Sequence, residues 1–303
     1  MKIFVVGSLN MDLTIRAPYV PKKGETVRGE GFMVTPGGKG ANQAVASAKL
    51  GAKTLMVGCV GNAFGEELVQ SLQACGADTR FVERRDDVAS GTAMIIVSEG
   101  DNRILIDRGA NAVTDRALVG RALSEAEEGD LLIAQLEIET DTVCYALKKA
   151  KERGMVTILN PAPAAPLPDE VFAYCDYFTP NQTEAQFYTG IFPKDEISAK
   201  KCAEALKSKG VKCVIITMGA LGSVCISENG FTCTPAVKAK VVDTTAAGDT
   251  YVGAFAVKLS EGALEEEAMR FANAAAAVTV TRRGAQTSIP TRAEADAIFI
   301  KNG

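Results

Sequence analysis

Short β-branched runs alternate with amphipathic helical segments along most of this chain, and that alternation limits the fold more than any other feature. Strand candidates begin at Lys2, Thr54, Asp130, Met155 and Lys212. Helix candidates begin at Ala41, Asp115 and Thr140, and each closes on a glycine that can serve as a C-cap. Because strand–helix alternation is typical of βαβ units, the sequence predicts an α/β fold around a mainly parallel sheet.

Two segments break this alternation. Residues 13–34 and 91–107 have the pattern of strands without intervening helices, and the second is predicted to form a hairpin around residues 99–102. We expect the two segments to form a small sheet that acts as a lid, since ligands bind at the carboxyl ends of strands in α/β domains. With no internal repeat and no obvious linker, residues 1–303 are predicted to be one domain.

The lack of histidine excludes several kinds of active site. None of the 303 residues is histidine, which removes Ser-His-Asp and Cys-His triads, HExxH metalloprotease sites and most zinc sites. A general acid or base must therefore be a carboxylate, lysine, tyrosine or cysteine. The eight cysteines form no CxxC pair, and a chain of this length needs no disulfide framework, so we expect reduced and mostly buried thiols.

Charge and hydropathy narrow the class of partner. Hydrophobic residues make up 47% of the chain, charged residues 23%, and the net charge is −4. This balance lacks the basic surface of a nucleic-acid binder. The first apolar stretch is too short for a secretory signal, and no run of 18 apolar residues follows. We therefore expect a cytoplasmic protein that binds small molecules, with neither a nucleic acid nor a membrane as partner.

The run VVDTTAAGDT contains the strongest chemical signal, at Asp249. Its small residues Ala246, Ala247 and Gly248 precede a helical apolar pattern, so free backbone N–H groups and the helix dipole can bind an anion there. A carboxylate beside such an anion hole suits a general base that accepts a proton from a substrate hydroxyl. The alternative is that Asp249 or Thr245 only caps the helix.

A second glycine-rich run, TPGGKGANQA, begins at Thr35. Gly40 stands where a P-loop needs serine or threonine, and Gln43 stands where the dinucleotide fingerprint needs glycine, so both folds are disfavoured. The glycines would let a polyhydroxylated ligand approach the backbone, with Lys39 and Asn42 supplying directional hydrogen bonds. A flexible turn between a strand and a helix is the alternative.

Polar residues also follow two of the predicted strands. Asn10 and Asp12 come after the first strand and, at i and i+2 in an extended segment, point to one side. A paired amide and carboxylate suits vicinal hydroxyls, although turns use the same residues. Glu137 ends the strand run DLLIAQLE and is either a ligand-binding carboxylate or a solvated one.

Two further runs are compatible with nucleotide binding. In TPNQTEA, Asn181 and Glu184 lie three residues apart at a predicted helix start, where they could orient water around Mg²⁺. A capping box is the alternative. The glycine-rich turn from Thr217 to Gly222 follows a strand and could contact an adenosine or a phosphate, or be a bare hairpin turn.

The order of these motifs resembles the ribokinase-like (pfkB) carbohydrate kinase family from end to end. The motifs that carry the resemblance are GSLNMD, GGKGAN, LNPAPA, TPNQTE, ITMGALGS, DTTAAGDT and TRRGAQTSIP. DTTAAGDT is highly specific for the family, and Lys39 in GGKGAN points to its ribose-phosphorylating members. The resemblance implies a three-layer α/β/α fold with a small β-sheet lid, a homodimer formed through that lid, and phosphorylation of D-ribose to D-ribose 5-phosphate by ATP.

The resemblance also implies roles for matching positions. Asp249 would be the catalytic base, and the amides of Ala246, Ala247 and Gly248 would stabilise phosphoryl charge. The sugar would contact Asn10, Met11, Asp12, Gly38, Lys39, Gly40, Ala41, Asn42, Glu137 and Asp249. ATP would contact Asn181, Thr217, Met218, Gly219, Ala220, Leu221, Gly222, Gly248 and Asn273. Glu184 would position hydrated Mg²⁺, and a potassium-type ion would lie near Asp243, Thr245, Thr279, Arg282, Gly284 and Ser288.

Three departures from the family pattern leave the choice of sugar open. The stretch VGNAFGEEL is one residue shorter and lacks an acidic residue, Leu13 follows Asp12, and TYVGA follows Asp249. A kinase for deoxyribose, fructose, another small sugar or a nucleoside is therefore the alternative. A non-catalytic sugar or nucleotide sensor and a dehydrogenase are further hypotheses, disfavoured by the anion hole at Asp249 and by the missing dinucleotide fingerprint.

Overall fold

A nine-stranded sheet organises the chain in the computed structural model, which describes residues 1–99 and 101–302. The strand order is β13-β12-β11-β10-β9-β8-β1-β4-β5, and every neighbouring pair from β11 to β5 is parallel. The strands are β1 (Lys2–Val6), β4 (Lys53–Gly61), β5 (Asp78–Arg85), β8 (Leu131–Ala134), β9 (Val156–Leu159), β10 (Tyr177–Phe178), β11 (Cys213–Thr217), β12 (Ser223–Ser227) and β13 (Gly230–Thr234). The predicted mainly parallel sheet is confirmed, with an antiparallel hairpin, β12–β13, added at one edge.

Helices cover both faces of this sheet. They are α1 (Lys39–Lys49), α2 (Gly65–Ala74), α3 (Arg116–Leu123), α4 (Thr140–Glu152), α5 (Gln182–Thr189), α6 (Glu196–Lys207), α7 (Ala247–Ser260), α8 (Glu265–Thr279) and α9 (Arg292–Lys301). One apolar core joins one sheet face to α3, α4, α5 and α6, and a second joins the other face to α1, α2, α7, α8 and α9. The result is the three-layer arrangement that the family resemblance implies.

A second sheet of four strands, hereafter the small sheet, has the order β3-β2-β6-β7. Its strands are β2 (Asn10–Arg16), β3 (Glu30–Gly37), β6 (Gly91–Ser98) and β7 (Asp101–Asp107). The segment predicted as 13–34 is more interrupted than the pattern suggested, because residues 17–29, which include Pro18 and Pro21, form no strand. The predicted turn at 99–102 includes Gly100, which lies outside the described residues, as does Gly303.

The parallel strands bring polar segments to one edge of the main sheet. Residues 7–10 follow β1, residues 135–137 follow β8, Asn160 follows β9, and the segment 179–184 follows β10. Because the carboxyl ends of parallel strands meet at the same edge, these segments come together although they lie far apart in sequence.

All eight cysteines are free, and five of them are buried. The expectation of reduced, mostly buried thiols therefore agrees with the structure. Within the described part of the chain, none of the helices is long and apolar enough to cross a membrane.

Candidate active site

Asp249 lies in the first turn of α7 and is only 7% exposed. Its Oδ2 accepts a hydrogen bond from Asn42 Nδ2 at 2.9 Å, and its Oδ1 accepts one from Gln43 Nε2 at 3.0 Å. The capping alternative is wrong, because the cap residue is Ala246 and its helix has no side-chain cap hydrogen bond. The carboxylate is therefore held by two side chains of α1, at the edge of the sheet where the parallel strands end.

The backbone before Asp249 forms the predicted small-residue turn. Ala246 adopts a left-handed conformation with φ 59°, and α7 begins at the next residue. First-turn N–H groups have no partner within a helix, and they lie at the positive end of its dipole. A Cβ placed on Gly248 would meet no atom within 4 Å, so this turn is open to a ligand. The geometry fits an anion hole, which stays a prediction.

The second glycine-rich run packs tightly against the end of β1. A Cβ on Gly40 would lie 2.4 Å from the Ser8 nitrogen, and one on Gly38, at φ 89°, would lie 2.7 Å from the Asn10 nitrogen. Glycine is required at both positions because the two backbones approach so closely. The alternative of a flexible turn does not fit this packing, and α1 already begins at Lys39, two residues before the predicted start at Ala41.

Glu137 anchors the start of α1. It lies in the loop after β8, and its Oε2 accepts hydrogen bonds from Ser8 Oγ at 2.5 Å and from the Lys39 backbone N–H at 2.9 Å. The alternative of a merely solvated carboxylate is therefore wrong. Because one oxygen makes both bonds, the other oxygen of Glu137 is available for a ligand hydroxyl.

Asn10 and Asp12 lie on one face of β2, as their spacing predicts. The Asn10 side-chain oxygen accepts a hydrogen bond from Asn111 Nδ2 at 2.7 Å, so the Asn10 amide nitrogen remains a donor for a ligand. Burial, with added repulsion from Glu137 and Asp249, raises the pKa of Asp12 from 3.8 to about 7. This carboxyl thus holds its proton more firmly than an ordinary aspartate does.

The positive charge of Lys39 offsets part of the negative charge of the nearby carboxylates. Burial lowers its pKa, but attraction from Asp249, Glu137 and Glu184 outweighs burial, so the pKa of Lys39 lies above its usual value. The site therefore combines one ammonium group with several carboxyl groups, and a polyhydroxylated neutral ligand can both donate to and accept from them.

Asn181 and Glu184 form a capping box at the start of α5. The Asn181 side chain accepts from the Glu184 N–H at 2.9 Å, and Glu184 Oε2 accepts from the Asn181 N–H at 2.8 Å. The capping alternative is therefore correct, although it leaves each carboxylate oxygen with an unused lone pair. Burial raises the pKa of Glu184, and a nearby cation would favour its charged form.

The turn from Met218 to Gly222 joins β11 to the antiparallel β12 and stands beside Asn181. Thr217 donates its N–H to the Pro180 carbonyl at 3.0 Å, and Met218 donates to Gly222 at 2.8 Å. The turn is thus both a hairpin connection and part of the site edge. Asn273, on α8, donates to the carbonyls of Thr234 at 3.3 Å and Pro235 at 3.2 Å, so its donors hold the chain after β13.

The residues predicted for a monovalent cation are only partly brought together. Asp243 accepts from Thr245 N–H at 2.9 Å, from Thr245 Oγ1 at 2.6 Å and from the Gly284 N–H at 3.0 Å. These hydrogen bonds outweigh burial and lower the pKa of Asp243. The side chains of the other three predicted residues make hydrogen bonds away from Asp243. Thr279 donates to Thr250, Arg282 donates to Glu294, and Ser288 donates to the Ala285 carbonyl. Only their backbone carbonyls could face a cation.

Several residues of this site were not predicted from the sequence. They are Ser8, Gln43, Asn111, Gln135 and Asn160, all of them buried. Asn160 could have been found from its place directly after β9, in the motif LNPAPA. Gln43 could have been found because it follows Asn42 on the buried side of α1.

Comparison with known proteins gives consistent matches. The family model "pfkB family carbohydrate kinase" matches residues 1–292. A ribokinase of Bacillus subtilis is 42% identical over 98% of this chain and 99% of its own length. A deoxyribokinase of Salmonella typhi is 37% identical over 96% of both chains. The structure of Arabidopsis thaliana ribokinase complexed with ribose and ATP superimposes with a TM-score of 0.89, at 31% identity and 98% coverage of both chains.

Proposed function

The chain belongs to the pfkB family of carbohydrate kinases, and on that premise we propose that it phosphorylates D-ribose at the 5-hydroxyl with ATP. The observation that carries this proposal is the placement of Asp249, a buried carboxylate held by two amides beside an open helix N-terminus. A sensor protein has no need of a base at an anion-binding turn.

The reaction follows from the positions of these groups. Asp249 takes the proton of the sugar hydroxyl as that oxygen attacks the γ-phosphorus of ATP. A new oxygen–phosphorus bond forms, the bond between the γ-phosphorus and the β,γ-bridging oxygen breaks, and ADP leaves with the electron pair. The N–H groups of Ala246, Ala247 and Gly248 stabilise the charge on the transferred group. Asn10, Asp12 and Glu137 hold the other hydroxyls, so the acceptor oxygen stays near Asp249.

The residues proposed to hold the sugar come from four chain segments. They are Asn10, Met11, Asp12, Gly38, Lys39, Gly40, Ala41, Asn42, Glu137 and Asp249. ATP is proposed to lie along Asn181, the turn from Thr217 to Gly222, Gly248 and Asn273. Both sets border Asp249, which supports the transfer of a phosphoryl group between them.

Two metal ions belong to this proposal. Mg²⁺ would be held through water by Glu184, whose buried carboxylate gains from a nearby cation, and the ion supplies charge neutralisation of the phosphates. A potassium-type ion would lie by Asp243 and Thr245 and near the Gly284 loop, where carboxylate and carbonyl oxygens are the donors that hard cations prefer.

A sugar panel tests the function. Coupled measurement of ADP release should give the highest kcat/KM with D-ribose, a lower value with 2-deoxyribose or fructose, and loss of turnover without Mg²⁺. Potassium should raise the rate. The deoxyribokinase match makes deoxyribose the second candidate. A higher kcat/KM for deoxyribose or for a nucleoside than for ribose would show that ribose is not the preferred substrate.

We also propose a homodimer through the small sheet. Val34, Leu13, Met94 and Leu105 are directly opposite one another across its four strands, on the face away from Asp12. The exposed fractions of Val34, Met94 and Leu105 are 44%, 57% and 73%. A contiguous apolar row of this kind marks an interaction surface.

Replacing Leu105 with aspartate should convert the dimer to a monomer, because it places a charge in the centre of an apolar contact. Sedimentation velocity will measure this shift in mass. Leu264→Asp is the matched control, since Leu264 is 74% exposed and lies outside the small sheet. A dimer that survives Leu105→Asp, or a monomeric parent chain, would contradict the proposal.

A cytoplasmic location is also proposed, and it rests only on the chemistry of the proposed substrates, a free sugar and ATP.

A further inference from the structure

A chain of buried side-chain amides leads from the main sheet to Asp249. Gln135 Nε2 donates to Gln43 Oε1 at 2.7 Å, and Gln43 Nε2 donates both to Asn160 Oδ1 and to Asp249 Oδ1, each at 3.0 Å. Gln43 and Gln135 are fully buried, and Asn160 is 8% exposed. These side chains come from α1 and from the ends of β8 and β9, so three elements fix one oxygen of the carboxylate.

A backbone carbonyl fixes the direction of every hydrogen bond in this chain. The Thr179 carbonyl can only accept, and it accepts from Asn160 Nδ2 at 2.9 Å. Asn160 must therefore present its oxygen to Gln43, and Gln43 must present its nitrogen. If the Gln43 amide were reversed, its oxygen would face the Asn160 oxygen and the Asp249 carboxylate. The network thus permits only a donor toward Asp249.

We propose that Gln43 is a positioning residue for phosphoryl transfer, which orients the Asp249 carboxylate that accepts the proton and donates a hydrogen bond to its negative charge. The inference rests on the proposed function, because it presumes that Asp249 is the base. Gln43 itself touches neither sugar nor ATP in this assignment, and its effect passes through the carboxylate.

The charges around Asp249 explain why such a donor is needed. Asp12 of β2, Glu137 of the loop after β8 and Glu184 of α5 bring carboxyl groups to the site, whereas Lys39 of α1 brings one positive charge. The carboxyl groups outnumber the ammonium and oppose a further negative charge. Two amide donors, from Asn42 and Gln43, compensate by stabilising the ionised carboxylate.

The test is the pH profile of kcat in Gln43→Met, which removes the donor and keeps the side-chain length. We expect kcat to fall about tenfold at pH values below the acidic limb of the parent enzyme and to recover to within about threefold of the parent well above that limb, with KM values for ribose and ATP changed by less than about threefold. The acidic limb of the profile should move upward by about one pH unit. A lower kcat with an unmoved limb would overturn the proposal.

Gln43→Glu is the second variant, and it keeps the inference testable should Gln43→Met not fold. A carboxylate about 3 Å from Asp249 would share its proton, so the acidic limb should move further upward than in Gln43→Met. Ser47→Ala is the matched control, because Ser47 is equally buried on α1 and its hydroxyl bonds only the Gln43 backbone carbonyl, at 2.8 Å. Its profile should match that of the parent enzyme, and a limb moved by Ser47→Ala as far as by Gln43→Met would overturn the proposal.

Asp249→Asn, measured in parallel, separates this inference from the proposed function. If Asp249→Asn loses turnover and both Gln43 variants keep the parent acidic limb, Asp249 is the base and Gln43 does not position it. If Asp249→Asn keeps turnover, the proposed base is wrong and the role of Gln43 falls with it. Loss of turnover in Asp249→Asn together with an upward-moved limb in the Gln43 variants supports both.

Discussion

Asp249→Asn is expected to lower kcat about 10²-fold or more, while the dissociation constants for ribose and ATP stay within a few-fold. An amide cannot take the proton of the sugar hydroxyl, but it keeps the size of the carboxylate. Most of the residues proposed to hold sugar and nucleotide lie on other segments, so we expect binding to depend little on the base. Steady-state kinetics and calorimetric titration of each ligand measure the two effects separately.

Asp176→Asn is the matched control for the loss of a buried carboxylate. Asp176 is 7% exposed and accepts hydrogen bonds from Lys151 Nζ at 2.8 Å and from Thr157, at the amino end of β10 and away from Asp249. Its removal should lower the melting temperature yet leave kcat within about twofold. Equal kcat in the parent enzyme and Asp249→Asn would show that Asp249 is not the base.

Asp12→Asn is expected to stabilise the fold and weaken sugar binding together. The native carboxyl has a pKa of about 7, because it is buried and lies near Glu137 and Asp249, whereas its ordinary pKa is 3.8. The native state therefore binds more protons than the unfolded state between these values. The contribution of Asp12 to the free energy of unfolding is therefore most favourable below pH 4 and is lost as the pH rises through 7. Because an asparagine side chain does not ionise, the Asp12→Asn variant does not lose stability in this way as the pH rises.

The gain from Asp12→Asn should consequently depend on pH. We expect it to be small near pH 4 and to reach on the order of a few kcal/mol above pH 7, which raises the melting temperature by several degrees. At pH 8, where the native carboxyl is ionised, the KM for ribose should rise about 10-fold or more, since a charged acceptor for the sugar hydroxyl is lost. Calorimetry at pH 5 and pH 8, with sugar kinetics, measures both quantities.

The exposed carboxylate of Asp107, on β7, provides the control for Asp12. Asp107→Asn should leave the melting temperature and KM unchanged at both pH values. A lower melting temperature for Asp12→Asn at pH 8 would show that burial of this charge costs the fold nothing. An unchanged KM would show that Asp12 does not contact the sugar.

Much of the architecture followed from local pattern. The strand runs from Lys2 and Lys212 and the helix from Thr140 lie within a residue of their predicted starts, because β-branched runs and glycine C-caps are local signals. The predicted α/β fold and the carbohydrate kinase class are confirmed by the family model and the relatives. Residues 17–29 were wrongly included in a predicted strand segment, because proline occurs both in loops and in edge strands and so does not separate the two.

The chemistry of the site was less predictable than its location. From sequence alone, Asp249 fits a helix cap as well as a base, and the structure excludes the cap because Ala246 occupies that position without a side-chain cap hydrogen bond. The Gln43–Asn160 pair joins residues 117 positions apart. No local pattern specifies such a contact, because it depends on which strands become neighbours. The roles assigned to individual residues remain predictions for the same reason.

The most direct test of the central claim is the position of the phosphate on the product of D-ribose and MgATP, determined by ³¹P and ¹³C NMR. We expect one phosphorylated sugar, with phosphorus coupled to carbon 5, and one ADP formed for each sugar consumed. Phosphate on another carbon, or ATP hydrolysis without a phosphorylated sugar, would contradict it.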